Sequence, residues 1–335
     1  MRAFKILFGV ISIVLVFFSS CSTKSVPEVN VNPKFIRIDS VVFSHDSSNI
    51  QQWLPELVSK YPDFMEDYFR GVLKVGPTND IRSFIKFKYF IADMKNFGLD
   101  TAIENKFKNL KDIKQKTTDA LKFYKYYFPE DTIPDIYFFN SGFNQSVITG
   151  KNYVGIALDK YLGYKNPYYM DMYMNMPLYV QYYAQKRFIP YDIIDGIFTG
   201  KYAFPEKADY NLLSNMIFEG KKIYFINKMF PEAEDSTLMK YTTKQIEWVE
   251  QNEKNIWTWL VEQKKLFTTD YKEIRSFVSY APFTNQFSQE SPGRVGVWVG
   301  WQIVKSYAEN NNVSLPELMK ENDFDKIMNK SKYKP

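Results

Sequence analysis

The sequence holds one histidine, His45, and one cysteine, Cys21, among 335 residues. Histidine-based triads and multi-histidine metal sites are thereby excluded, unless His45 acts alone. A lone cysteine closes no disulfide within the chain, so stability rests on the core. Charge of one sign is also scarce, at net +5, and no basic run interleaves with aromatics as a nucleic-acid surface requires. Behind the N-terminus no apolar stretch approaches the roughly 20 residues that span a bilayer. What is plentiful is aromatic: 29 Phe, 25 Tyr and 6 Trp supply large core side chains.

The N-terminus combines Arg2 and Lys5, an apolar run from Ile6 to Phe18, and then Ser19-Ser20-Cys21. A charged start, an apolar middle and a small-residue cleavage site make residues 1–20 a signal peptide. Phe18-Ser-Ser-Cys21 has the shape of a bacterial lipobox, which places the thiol where a diacylglyceryl group is attached before cleavage. The expected mature protein is a lipoprotein that begins at Cys21, lies outside the cytoplasm and meets the membrane only through acyl chains. Because Arg2 and Lys5 lie in the leader, residues 21–335 carry a net charge of +3. Residues 21–34, with Pro27, Pro33 and asparagines, read as a lipidated N-terminus and an unpacked polar tether. Residues 35–335 read as a single domain.

Along that domain, Phe35 to Phe43 alternates enough for a strand. His45 follows in a Ser-His-Asp-Ser-Ser segment, where sequence neighbours rarely form a triad, so an exposed turn histidine is expected. Ile50 to Lys125 is helical in pattern. Pro134 to Asn140 and Tyr153 to Asp159 read as two strands joined through residues 141–152. Helices resume after Leu162, so the fold class is α+β, predominantly helical, with a small sheet and a helical C-terminal half.

Three helices hold the candidate chemistry. In Asn211 to Phe230, Glu219 falls inside an apolar stripe and must meet a cation, a hydrogen-bond network, a metal or a pocket. The helix opening at Ile189-Pro190 carries Asp192 and Asp195 in and near its first turn, where a solvated, dipole-favoured helix start is the simple reading. Residues 290–309 form a helix apolar nearly all round, and Gly296 and Gly300 make a small-residue groove for close packing. Arg294 at its head is the natural counter-ion for Glu219. A Tyr-rich stretch from Tyr161 to Tyr183, with Tyr168, Tyr169, Tyr173 and Tyr179, could line a ligand site or simply pack.

These segments together resemble the gliding-motility lipoprotein GldB family of Bacteroidetes. The matching pieces are the lipobox with Cys21, Leu54-Pro-Glu-Leu, Lys60-Tyr-Pro-Asp-Phe and Gly155-Ile-Ala-Leu-Asp-Lys-Tyr-Leu-Gly. Glu219-Gly-Lys-Lys-Ile-Tyr-Phe, the run from Glu290 to Val304 and Lys330-Ser-Lys-Tyr-Lys-Pro continue them in order. The resemblance implies a lipid-anchored, periplasm-facing envelope protein, with the membrane leaflet left open. Its implied partners are protein components of the gliding and type IX secretion machinery. The family looks related to zinc peptidases with a zincin-like domain, in which one helix carries His-Glu-x-x-His and a later one Glu-Gly. On this chain Tyr191, Asp192 and Asp195 take the first set of positions, and Glu219 takes the last. Without imidazoles to hold zinc, no catalytic residue, metal or cofactor is expected, and the protein acts without catalysis. The alternative is a carboxylate-dependent hydrolase that keeps a cleft around Glu219.

Overall fold

Four short strands, β1 (Phe35–Arg37), β2 (Asp135–Phe139), β3 (Val147–Gly150) and β4 (Tyr153–Ala157), form one sheet in the order β1-β2-β4-β3. β1, β2 and β4 run parallel, and β3 pairs antiparallel with β4. The computed structural model describes residues 25–170 and 175–335. The expected leader, Cys21 and Tyr173 lie outside the described residues.

Side chains on a strand alternate between faces, and here each face feeds its own core. Ile136, Phe138, Val154 and Ile156 enter the larger one, while Tyr137, Phe139, Tyr153 and Ala157 enter the smaller. Six α-helices lie between β1 and β2: α1 (Ile38–Ser44), α2 (Ile50–Lys60), α3 (Pro62–Asp67), α4 (Ile81–Asn96), α5 (Leu99–Phe107) and α6 (Lys111–Tyr127). The first four cover the smaller core, where Phe64 stacks on Tyr137 with ring centroids 4.4 Å apart.

The larger core takes α5, α6 and nearly everything after β4. That half contains α7 (Pro167–Met170), α8 (Leu178–Tyr183), α9 (Ile189–Lys201), α10 (Leu212–Met229) and α11 (Asp235–Met239). It ends with α12 (Thr243–Glu262), α13 (Tyr271–Val278), α14 (Val295–Asn311), α15 (Leu315–Lys320) and α16 (Phe324–Ser331). The fold is α+β and predominantly helical, as expected.

The small-residue groove on α14 packs against α10. A Cβ on Gly300 would lie 1.8 Å from the Met216 carbonyl oxygen, and one on Gly220 would lie 2.3 Å from the Gly300 carbonyl carbon. The two helices therefore cross backbone to backbone.

Four local expectations change. The strand from Phe35 stops at Arg37, whose guanidinium reaches forward to the buried Asp39 at 2.6 Å, and α1 begins there. Between the two expected strands the β-branched run Val147-Ile-Thr forms β3, closed by a two-residue turn with Asn152 at φ 65°. His45 is half-buried rather than exposed, with its ring 4.8 Å from that of Trp53 and Nδ1 2.7 Å from the Val41 carbonyl oxygen. The segment before β1 is not a free linker from residue 25 onward. Pro27, Val29, Val31 and Pro33 are half-buried and alternate with exposed Glu28, Asn30 and Asn32. Val31 packs on the larger core, and the Lys34 carbonyl accepts the Ile136 N–H at 2.8 Å. It is an extended strap laid along the body.

Candidate functional site

α9 starts with Pro190 in its first turn and is walled by the sheet, α6 and α10, so its polar residues are drawn inward. Gly196 lies against Val154 and Val147 without room for a Cβ, which seats the helix on β3 and β4. Asp192 is consequently not a solvated helix start: it is 7% exposed. Its Oδ1 is 2.5 Å from Lys240 Nζ, and its Oδ2 accepts the Tyr161 hydroxyl at 2.8 Å. Burial pushes the Asp192 carboxyl up, while Lys240 and the Tyr161 hydroxyl pull it back. Burial opposes the Lys240 charge as well, but Asp192 more than offsets this and holds the ammonium above the usual lysine range.

Of the other three positions, Asp195 lines the same cavity as Asp192, whereas Tyr191 and Glu219 do not. Tyr191 turns into a groove against α6, where its hydroxyl accepts from Lys116 Nζ at 2.7 Å and its ring meets Phe230 at 4.3 Å. Asp195 and Glu219 share one cation, Lys222, whose Nζ is 3.8 Å from Asp195 and 2.8 Å from Glu219. Burial works against the Lys222 charge, but these two carboxylates raise its pKa. The expected ion pair between Glu219 and Arg294 is not formed. Lys222, one turn along the same helix, reaches Glu219 first, as residues three apart on a helix do. Arg294 stays close enough for Glu219 to favour its charge, yet its guanidinium lies over the Tyr280 ring, 4.3 Å from the centroid.

These positions do not form a metal centre. Tyr191 faces a different groove from Asp192, and the Lys222 ammonium stands where a cation between Asp195 and Glu219 would sit. Among the described residues no three His, Cys, Asp or Glu side chains are grouped as metal ligands. A cavity of about 230 Å³ remains beside Asp192, walled by Tyr161, Tyr183, Tyr280, Lys160 and Lys240.

The Tyr-rich stretch splits in role. The Tyr169 hydroxyl joins the Leu162 N–H to the Asp159 carbonyl at 2.8 Å each, a purely internal brace, and Tyr168 bonds the Gly98 carbonyl. Tyr161 and Tyr183 line the cavity. Sequence reasoning missed Lys222, Lys240 and Tyr280. The spacing of Lys222 from Glu219 signalled the first, whereas nothing local marks the other two.

Fold and site thus define a helix-rich α+β protein in which Asp192, Asp195 and Glu219 are met by the chain's own lysines. The chain belongs to the family described as gliding motility protein GldB, whose model matches residues 20–335. It is therefore a member of a gliding-motility lipoprotein family. No curated protein and no solved structure matches it.

Proposed function

We propose that the protein is a non-catalytic, partner-binding component of the gliding and associated secretion machinery, held on the cell envelope by acyl chains on Cys21 and facing the periplasm. Family membership supports the setting. The observation that carries the non-catalytic reading is the pairing of the peptidase-like positions: Tyr191 with Lys116, Asp192 with Lys240, and Asp195 and Glu219 with Lys222. A general acid or base needs a carboxylate that can exchange protons with a substrate, and a zincin-like ancestor would need these groups free for a metal. Here each is tied to a cation.

The test replaces the chromosomal copy in a gliding host. Deletion should abolish motility, and Cys21→Ala should move the protein out of the membrane fraction. Asp195→Asn with Glu219→Gln should leave motility intact. Loss of motility in that double variant, with the protein present and folded, would favour the hydrolase instead.

A further inference from the structure

α4 carries a stripe that the fold leaves uncovered. Its inner side, with Phe87 and Ile91, is buried in the smaller core. Ile81, Ile85 and Tyr89 stand four residues apart on one outer face and are 52%, 45% and 65% exposed. Scattered apolar residues on a surface are ordinary, but three in line along one helix are a patch. Beside them a groove of about 440 Å³ runs between α4 and the start of α2. Ile50 and Phe84 are among its apolar lining residues, and Gln51, Gln52 and Lys88 among its polar ones.

Charge of one sign frames the stripe. α4 holds Arg82, Lys86, Lys88 and Lys95 against Asp93 alone. At 100° per residue, Lys88 and Lys95 fall on one side of the stripe and Arg82 and Lys86 on the other. Among the described residues the one ion pair of this helix joins Arg82 to Asp80, at 2.8 Å. The acids flanking it are committed to helix starts. Asp80 accepts the Arg82 N–H at 2.9 Å, and Asp46 accepts the Ser48 N–H and hydroxyl at 2.8 and 2.5 Å. Lys95 donates to the His45 carbonyl at 3.3 Å, which leaves its charge without a carboxylate among the described residues.

We infer that this face docks an acidic amphipathic helix of a partner protein, its apolar side on Ile81, Ile85 and Tyr89 and its carboxylates against Lys86, Lys88 and Lys95. A helix laid along a groove is held by apolar anchors at this spacing, and complementary charge at the rim sets its register. Two other occupants fit less well. A second copy would bring the same lysines face to face. A bilayer lies on the wrong side: Val26, near the start of the strap, borders a groove formed by α6 and the end of α10, which pack across the sheet from α4. An acyl anchor on Cys21 therefore turns α4 away from the lipid. The inference deepens the partner-binding reading and rests on it.

The experiment titrates the purified full chain carrying Cys21→Ala with a fluorescein-labelled amphipathic helix, leucine on one face and glutamate on the other, and with its lysine counterpart. The glutamate helix should bind, the lysine helix at least ten-fold more weakly, and added salt should weaken the glutamate complex. Ile85→Asp and Tyr89→Asp should each reduce affinity at least ten-fold, whereas Tyr126→Asp, at an exposed tyrosine of α6, should not. Equal binding of the two helices, no binding at about a hundred micromolar, or unchanged affinity in both α4 variants would each overturn the inference. So would co-sedimentation with phosphatidylglycerol vesicles that is lost in Tyr89→Asp, which would assign the face to a bilayer. In a gliding host, motility that survives deletion would defeat the partner-binding reading itself. Motility lost on deletion but kept when Ile85→Asp and Tyr89→Asp are combined would defeat this inference alone.

Discussion

Asp192 and Lys240, 48 residues apart in the chain, meet at 2.5 Å beside the larger core and form a largely enclosed ion pair. Removing one partner of such a pair strands the other without solvent, at a cost of about 3–5 kcal/mol. Asp192→Ala and Lys240→Met should each lower unfolding free energy by that order in urea titrations. The double variant Asp192→Leu with Lys240→Met should recover much of the loss. Glu219→Ala should cost less than either, because its carboxylate keeps partial access to water. Equal losses for Asp192→Ala and Glu219→Ala would contradict this ranking.

The crossing of α10 and α14 has no space for a methyl group. Gly300→Ala would drive a Cβ into the Met216 carbonyl, and the helices would have to separate. Overpacking of this kind costs about 3 kcal/mol, because main chain rather than a flexible side chain must yield. Gly71→Ala is the control, since nothing lies within 4 Å of the added methyl. Thermal melts of the two variants should separate clearly.

Glu66 accepts from the Thr78 hydroxyl at 2.5 Å and from its N–H at 2.9 Å, and these bonds, with Arg70 alongside, lower its carboxyl to about 2. A depressed folded-state pKa gives stability that is present above the unfolded value, near 4.5, and lost as pH falls toward 2. Glu66→Gln should therefore flatten the acid limb of stability between those values, with the largest loss at neutral pH and little near pH 2. Fluorescence-monitored unfolding across pH 2–6 measures it.

The strap before β1 is held by half-buried side chains, Val31 chief among them. Val31→Asp should release it at a cost of about 1 kcal/mol, since a partly buried valine is exchanged for a charge. Limited proteolysis should then cut within residues 25–33 faster than in the parent. An unchanged cleavage rate would mean that the strap is held without Val31.

Much of this architecture follows from local patterns. The three-and-four spacing around Met216 and Ile223, the all-round apolar run after Arg294 and the runs ending at Phe139 and Ala157 each became the expected element. The candidate site was less legible, for a physical reason. Amphipathic reading assumes that a helix has a wet side, and α9 has little of one, so a carboxylate placed by the wheel on the polar side is buried. Lys240 and Tyr280 reach the cavity from irregular segments, where no periodicity indicates direction. Lys222 was visible beside Glu219, but choosing it over Arg294 required the fold.

The docked strap also sets a leash. If acyl chains hold Cys21 in a bilayer, the run from Cys21 to Ser25 spans at most about 14 Å even when fully extended. The body would then be berthed against the lipid surface rather than afloat in the space beyond it. Any protein that engages the strap side of the body would then meet it at the membrane surface.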